Sequence, residues 1–255
     1  ANGYIYYTYV SQNITSGSGT NAYYVIDTGT IGIRAMGVRN NVYIATNNGL
    51  LKFSKALSKI MDVTLSSGYI NQIAESANVT QLYYVYNNSI LVKSSNSDIT
   101  SISWALDITQ TVNELLVDES DNIYLRAGSY IIKINSSGVV QWQRTFSTTP
   151  NNCSSYDANW IYIGVGMGTT AYCVQYPRTG SKQGSYTLTG NTLTISASSL
   201  SITSTTVSFS ITTVANRSPG FPGISIGNST YSNSIVNYYG GVGTASVDTT
   251  SNLQL

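Results

Sequence analysis

Between residues 114 and 146 the chain reads ELLVDESDNIYLRAGSYIIKINSSGVVQWQRTF. Short apolar and β-branched runs alternate with clusters of Asp, Ser, Asn and Gly. This pattern predicts strands at 114–118, 122–128, 130–135 and 139–146, joined by tight turns. SSG at 136–138 places Gly138 where a short hairpin loop favours positive φ. DESDN at 118–122 is a polar turn cluster. Runs such as YIYYTYV near the N-terminus are apolar on both faces, as in a sheet covered on both sides. QTVNELLVDES has some helical spacing, but its place in the repeat described next favours a strand.

The same pattern recurs. Tyr124 of NIYLRAG has counterparts in Tyr43 of NNVYIATNN, Tyr83 of TQLYYVYNN and Tyr162 of NWIYIGVG, with Tyr6 of GYIYYTYV further upstream. The period is about 40 residues, the length of a four-stranded propeller blade. Lys52, Lys93 and Lys133 follow in phase, and AYCVQYP holds the place without a lysine. Trp104 and Trp142 form a third anchor, with Met61 near that position in an earlier copy. One small sheet cannot cover both of its own faces, so such units must stack. The expected fold is all-β: a β-propeller of about five four-stranded blades over residues 1–183, and a β-rich extension over 184–255.

The repeat at 118–144 resembles the bacterial β-propeller repeat known as SBBP, whose pattern runs D-x-x-G-N-I-Y-V and then K-x-N-x-x-G-x-x-x-W-x-(K/R). Asp118, Asn122, Ile123, Tyr124, Lys133, Asn135, Gly138, Trp142 and Arg144 match it, while Asp121 stands where the pattern has glycine. The close match covers this one copy. The arrangement is also similar to repeats in large proteins of marine tailed phages, which precede a Ser/Thr-rich β tail. That resemblance implies a structural or adhesive component of a virion surface, such as a tail-fibre or decoration protein. It would contact other virion subunits or copies of itself, and host-surface glycans. The alternative is a bacterial extracellular β-propeller binding protein, and a propeller lyase or glycosidase ranks behind both.

Within the extension, Gly184 to Leu255 carries two charges, Arg217 and Asp248. Gly190-Asn191 between two TLT triplets is a hairpin signal that would place Leu188 opposite Leu193 and Tyr186 opposite Ile195. Leu200 and Ile202, then Val207, Phe209 and Ile211, alternate in shifted phase, which implies a bend or bulge near 203–205. SPGFPG at 218–223 reads as a turn, and the stretch from Tyr238 as flexible or partner-ordered. NTLTIS at 191–196 is expected to supply the missing first strand of the Tyr6 unit and close the ring. The alternative expectation is an oligomerisation segment, alone or in addition to closing the ring.

Composition narrows the chemistry. Charged residues make up 9% of the chain, against about 25% in an average globular protein. The formal net charge is +1, so no basic field draws in nucleic acid. Hydrophobic residues at 42% and 21 tyrosines argue against disorder. A surface made polar by Ser, Thr and Asn changes little with pH or salt, which suits work outside a cell and equally suits a β protein of biased composition. No run of about 18 apolar residues predicts a membrane-spanning helix. ANGYIYYTYV does not read as a secretory signal; either one was removed, or the chain leaves by another route, or it stays inside.

There is no histidine, which excludes Ser-His-Asp and Cys-His catalysis and His-ligated metals. Cys153 and Cys173 are expected to be buried free thiols. Asp118, Glu119 and Asp121 are calcium-type ligands in one turn, but turn chemistry explains them as well. GVGMG at 164–168 lacks a phosphate-loop lysine and reads as a strand with close neighbours. The repeat-register tyrosines read as core; Tyr231, Tyr238 and Tyr239 lie off that register. No catalytic, metal or cofactor residue is assigned, and the chain is expected not to be an enzyme.

Overall fold

A computed structural model describes residues 4–8, 13–18, 22–27, 33–54 and 59–213. The turn cluster at 218–223, Tyr231, Tyr238, Tyr239 and the terminal stretch lie outside them. The chain divides into two compact units. One contains β1 (Tyr4–Thr8), β2 (Asn13–Ser18) and β3 (Ala22–Asp27), an antiparallel three-stranded sheet. The other holds every strand from Ile33 to Thr213.

The larger unit is a stack of antiparallel meanders. The first sheet runs β4 (Ile33–Val38), β5 (Asn41–Thr46), β6 (Gly49–Ser54) and β7 (Lys59–Leu65). The second runs β8 (Ile70–Glu75), β9 (Gln81–Tyr86), β10 (Ile90–Ser95) and β11 (Ile102–Asp107). The third runs β12 (Val112–Val117), β13 (Ile123–Ala127), β14 (Tyr130–Ile134) and β15 (Val140–Phe146). The fourth has β16 (Pro150–Tyr156), β17 (Trp160–Met167) and β18 (Thr170–Pro177). The first strands β4, β8, β12 and β16 pack side by side in that order. This is a propeller-like, all-β arrangement. The strands predicted at 114–118, 122–128, 130–135 and 139–146 are present within a few residues, and GVGMG falls on β17 and the turn after it.

The repeat anchors are cross-strand neighbours. Tyr83 pairs with Lys93 and Lys93 with Trp104; Tyr124, Lys133 and Trp142 do the same one sheet later. In the first sheet the set is Tyr43, Lys52 and Met61. The three ammonium groups sit 5.6, 5.7 and 5.5 Å from the rings of Tyr43, Tyr83 and Tyr124, within cation–π reach. Each lysine then crosses to the next sheet. Lys93 Nζ and Trp104 Nε1 both donate to the Ser136 carbonyl, at 2.9 and 3.2 Å. Lys133 Nζ and Trp142 Nε1 both donate to the Arg178 carbonyl, each at 3.1 Å. Lys52 Nζ donates to the Asn96 carbonyl at 3.2 Å.

Two residues beyond that carbonyl the turn needs a glycine wherever a tryptophan arrives. Gly138 has φ +83°, and a Cβ there would meet the Trp104 ring at 3.2 Å. Gly180 has φ +70°, and a Cβ would meet the Trp142 ring at 2.5 Å. In the first-to-second contact Met61 replaces Trp and Asp98 replaces Gly, so the two positions change together.

The segment after β18 forms a strap. β19 (Gly184–Leu188) and β20 (Asn191–Ala197) make a hairpin, and β20 pairs with the outer edge of β15. Next, β21 (Thr203–Ser204) pairs with β11, and β22 (Ile211–Thr213) pairs with β7. The strap thus caps the outer edges of the third, second and first sheets in reverse chain order, removing unpaired edges. Leu193 and Ile195 enter the core beside Val174 and Tyr176. Leu200 and Ile202 pack against the core between the second and third sheets, and Val207, Phe209 and Ile211 against that between the first and second. The phase shift near 203–205 marks the step from one groove to the next.

The structure differs from expectation at three points. NTLTIS does not pair with the Tyr6 strand, because Leu193 and Ile195 bury only where β20 lies on β15. Among the described residues the Tyr6 sheet, in its own unit, and the fourth sheet have three strands each rather than four. The hairpin loop is Thr189-Gly190, with φ +31° and +83°, and Leu188 faces Asn191. A two-residue loop with both φ positive favours glycine in its second position, which moves the loop by one residue and each cross-strand partner by two.

The tryptophan–glycine contact is testable. Gly168 also has positive φ, +61°, but a Cβ there would meet nothing within 4 Å. Gly168→Ala should cost about 1–2 kcal/mol, the left-handed backbone term alone. Gly180→Ala should cost clearly more in denaturant unfolding, because the Trp142 ring must also move.

Candidate functional site

The first strands end in turns that line one rim of the stack. In the third sheet Asp118 Oδ1 accepts from the Ser120 and Asn122 amides at 2.8 and 2.9 Å. In the fourth, Asp157 Oδ1 accepts from the Asn159 and Trp160 amides at 2.8 and 2.9 Å. Short polar side chains close such turns locally. Ser76 has this role in the second sheet, its Oγ accepting from the Gln81 amide at 3.0 Å. In the first sheet the position is Arg39.

Arg39 turns toward the axis of the stack. Its Nη1 donates to the Glu75 carbonyl at 3.2 Å and lies 3.5 Å from that of Asp118. It borders a cavity of about 430 Å³ lined by residues 36–39, 73–75 and 115–117 and by Tyr156. Four sheets therefore contribute to one concavity, with apolar side chains and a guanidinium at its wall.

The carboxylates nearby are fully engaged. Glu75, 3% exposed, accepts at Oε2 from the Asn40 and Asn41 amides at 2.8 and 3.2 Å. At Oε1 it accepts from Asn41 Nδ2, Tyr43 Oη and Asn96 Nδ2 at 2.6, 2.8 and 2.9 Å. Burial acts to raise its pKa, but the Asn41 and Tyr43 side chains and the two amides outweigh that and hold it below the usual range. Asp118 is fully buried, and Oδ2 accepts from Asn122 Nδ2 at 2.9 Å, from Tyr124 Oη at 3.3 Å and from the Arg178 guanidinium. There too burial is overcome, by Asn122, Ser120 and Arg178, and the pKa lies low. Burial pushes Tyr124 up to about 12, so it stays protonated.

The three carboxylates at 118–121 are taken up by protein donors. Asp118 is filled by donors, Glu119 pairs with Arg178 Nη1 at 2.7 Å, and Asp121 Oδ1 accepts from the Ala77 amide at 2.7 Å. Their oxygens point to different donors, which a shared cation would have to displace. Cys173 is free and exposed on β18, not buried; the Cys153 side chain lies outside the described residues. Arg39, Glu75, Asn96 and Arg178 were missed from sequence. Asn96, Ser136 and Arg178 recur at nearly the repeat period, a signal hidden by their differing chemistry.

No protein-family model and no curated protein matches the sequence. Solved structures do match in fold. A protein of unknown function from Bacteroides caccae is 8% identical, with TM-score 0.53, over 71% of this chain and 71% of that one. Apo AztD from Citrobacter koseri is 12% identical, with TM-score 0.48, over 75% of this chain and 61% of AztD. BamB from Moraxella catarrhalis is 11% identical, with TM-score 0.45, over 71% of this chain and 65% of BamB. The likeness to the Bacteroides protein is one of fold alone.

Removing the Glu75 carboxylate should leave its buried donors unpaired. Glu75→Ala is expected to cost about 3–5 kcal/mol in denaturant unfolding. Because the folded pKa values of Glu75 and Asp118 are depressed, their contribution is full above the unfolded carboxylate values, roughly 4, and is lost as pH falls through the folded values. Unfolding measured from pH 7 downward should show a shallower acid loss in Glu75→Gln than in the parent.

Proposed function

We propose that the chain is a bacterial extracellular binding protein of propeller-like fold, which holds an acceptor-rich ligand at the axial cavity without transforming it. The observation that carries this is the division of labour at the rim. Glu75 and Asp118 spend their oxygens on buried donors. A general acid or base needs an oxygen within reach of substrate. Arg39 instead brings guanidinium donors to the cavity wall, suited to carboxylates or sugar hydroxyls. The weakly charged, Ser/Thr/Asn-rich surface is compatible with work outside a cell.

A glycan array with the purified protein, followed by titration of each hit, tests this reading. Arg39→Ala should weaken binding about tenfold or more, the effect of losing one charge-assisted hydrogen bond. Equal affinity in both proteins would remove the cavity from consideration. Release of cleaved sugar would move the function to a lyase or glycosidase.

A second reading rests on the nine matching positions between Asp118 and Arg144: a tail-fibre or decoration component of a tailed-phage particle, bound to neighbouring subunits or to copies of itself. It predicts a trimer or higher symmetric oligomer by native mass spectrometry. A monomer favours the binding protein.

A further inference from the structure

The three contacts between successive sheets are built alike, so a group missing from one stands out against the others. Between the first and second sheets, the Asn96 carboxamide fills the seam. Its Oδ1 accepts from Lys52 Nζ at 2.9 Å and touches the Tyr43 hydroxyl; its Nδ2 donates to Glu75 Oε1 at 2.9 Å and to the Val79 carbonyl at 2.7 Å. Between the third and fourth sheets, Arg178 fills it. Nε donates to Tyr124 Oη at 3.1 Å, and Nη1 to Glu119 and to the Asp157 carbonyl at 2.7 and 2.9 Å.

Between the second and third sheets the corresponding residue is Ser136. Its carbonyl takes the usual two bonds from Lys93 and Trp104, but its side chain ends at Oγ. On the facing strand, Tyr83 is fully buried and its hydroxyl has no partner among the described residues. Gln81 Oε1 is likewise buried and unpartnered. Residues 81 and 83 project from the same face of β9, as alternate strand residues do. Their counterparts Asn41 and Tyr43 are the residues that bond Glu75 in the first seam.

We infer that the seam between the second and third sheets is a binding niche for a small neutral molecule carrying both a hydrogen-bond donor and an acceptor, water or a carboxamide-sized solute, held by Tyr83 Oη, Gln81 Oε1 and Lys93 Nζ. The donor serves Gln81 Oε1, and the acceptor receives Tyr83 and Lys93, in the place the Asn96 carboxamide occupies one sheet earlier. Charge selects a neutral occupant. Lys93 opposes a cation, while Asp118 and Asp121 oppose an anion. Burial first, then those two carboxylates, keep the Tyr83 hydroxyl protonated and available as a donor. Leaving both groups empty-handed in a buried seam would carry a large desolvation cost.

A high-resolution crystal structure of the unaltered protein tests this directly. A single density peak within hydrogen-bond distance of Tyr83 Oη and Gln81 Oε1 identifies water, and a planar group identifies a carboxamide solute; either supports the niche. Tyr83 bonded to a protein atom, or an empty seam, overturns it. Substitution tests it in solution. Ser136→Asn should place a carboxamide in the niche and raise the melting temperature by about 2–4 °C. Tyr83→Phe should then lower melting more in the Ser136→Asn background than in the parent. Equal effects of Tyr83→Phe in both backgrounds would overturn the assignment. If Ser136→Asn fails to fold, the crystal structure of the parent decides.

Discussion

A backbone carbonyl that receives a lysine ammonium and a tryptophan indole from the neighbouring sheet is the contact on which this stack depends. Each sheet is too small to bury two faces by itself. Dispersion alone would let stacked sheets slide or rotate. The shared carbonyl of Ser136 or Arg178 fixes one sheet against the next at a defined point, and the tryptophan ring closes over a glycine two residues on. The lysine stem runs along the tyrosine ring, so the charged end reaches its acceptor while the rest stays in the core. Tyrosine, lysine, tryptophan and glycine therefore recur together because they form one connected contact.

The strap answers a different constraint. Stacking covers the faces of the sheets but leaves their outer edges open. Residues 184–213 cover three of those edges in turn and send apolar side chains into the grooves between sheets. Phe209 reaches Tyr86 with ring centroids 5.4 Å apart. A segment with so few charges fits this task, because a charged side chain directed into these grooves would require a partner.

The seams carry the protein's individuality. The apolar part of each contact is nearly constant, whereas the polar part differs: a carboxamide with Glu75, a short serine beside Tyr83, and a guanidinium with Asp118. At the rim the same turn position is Arg39, Ser76, Asp118 or Asp157. The residue at this one place on the repeated frame varies from sheet to sheet, and Arg39 is the variant that borders the axial cavity.

By itself the sequence determined the strands, their period, the tyrosine, lysine and tryptophan anchors, and the positive φ of Gly138. These follow from alternation along a strand and from turn chemistry, both local. Only the tertiary structure decided what the anchors hold, because a backbone carbonyl in another sheet leaves no mark on residue type. It also decided where 191–197 pairs, since any open edge accepts a strand and only burial of Leu193 and Ile195 selects β15. The hairpin register turned on which loop residue takes the glycine place, and Glu75 became a structural centre because its donors come from residues 40–43 and 96. Those partners are distant in sequence, and only the packing of one sheet on the next brings them together.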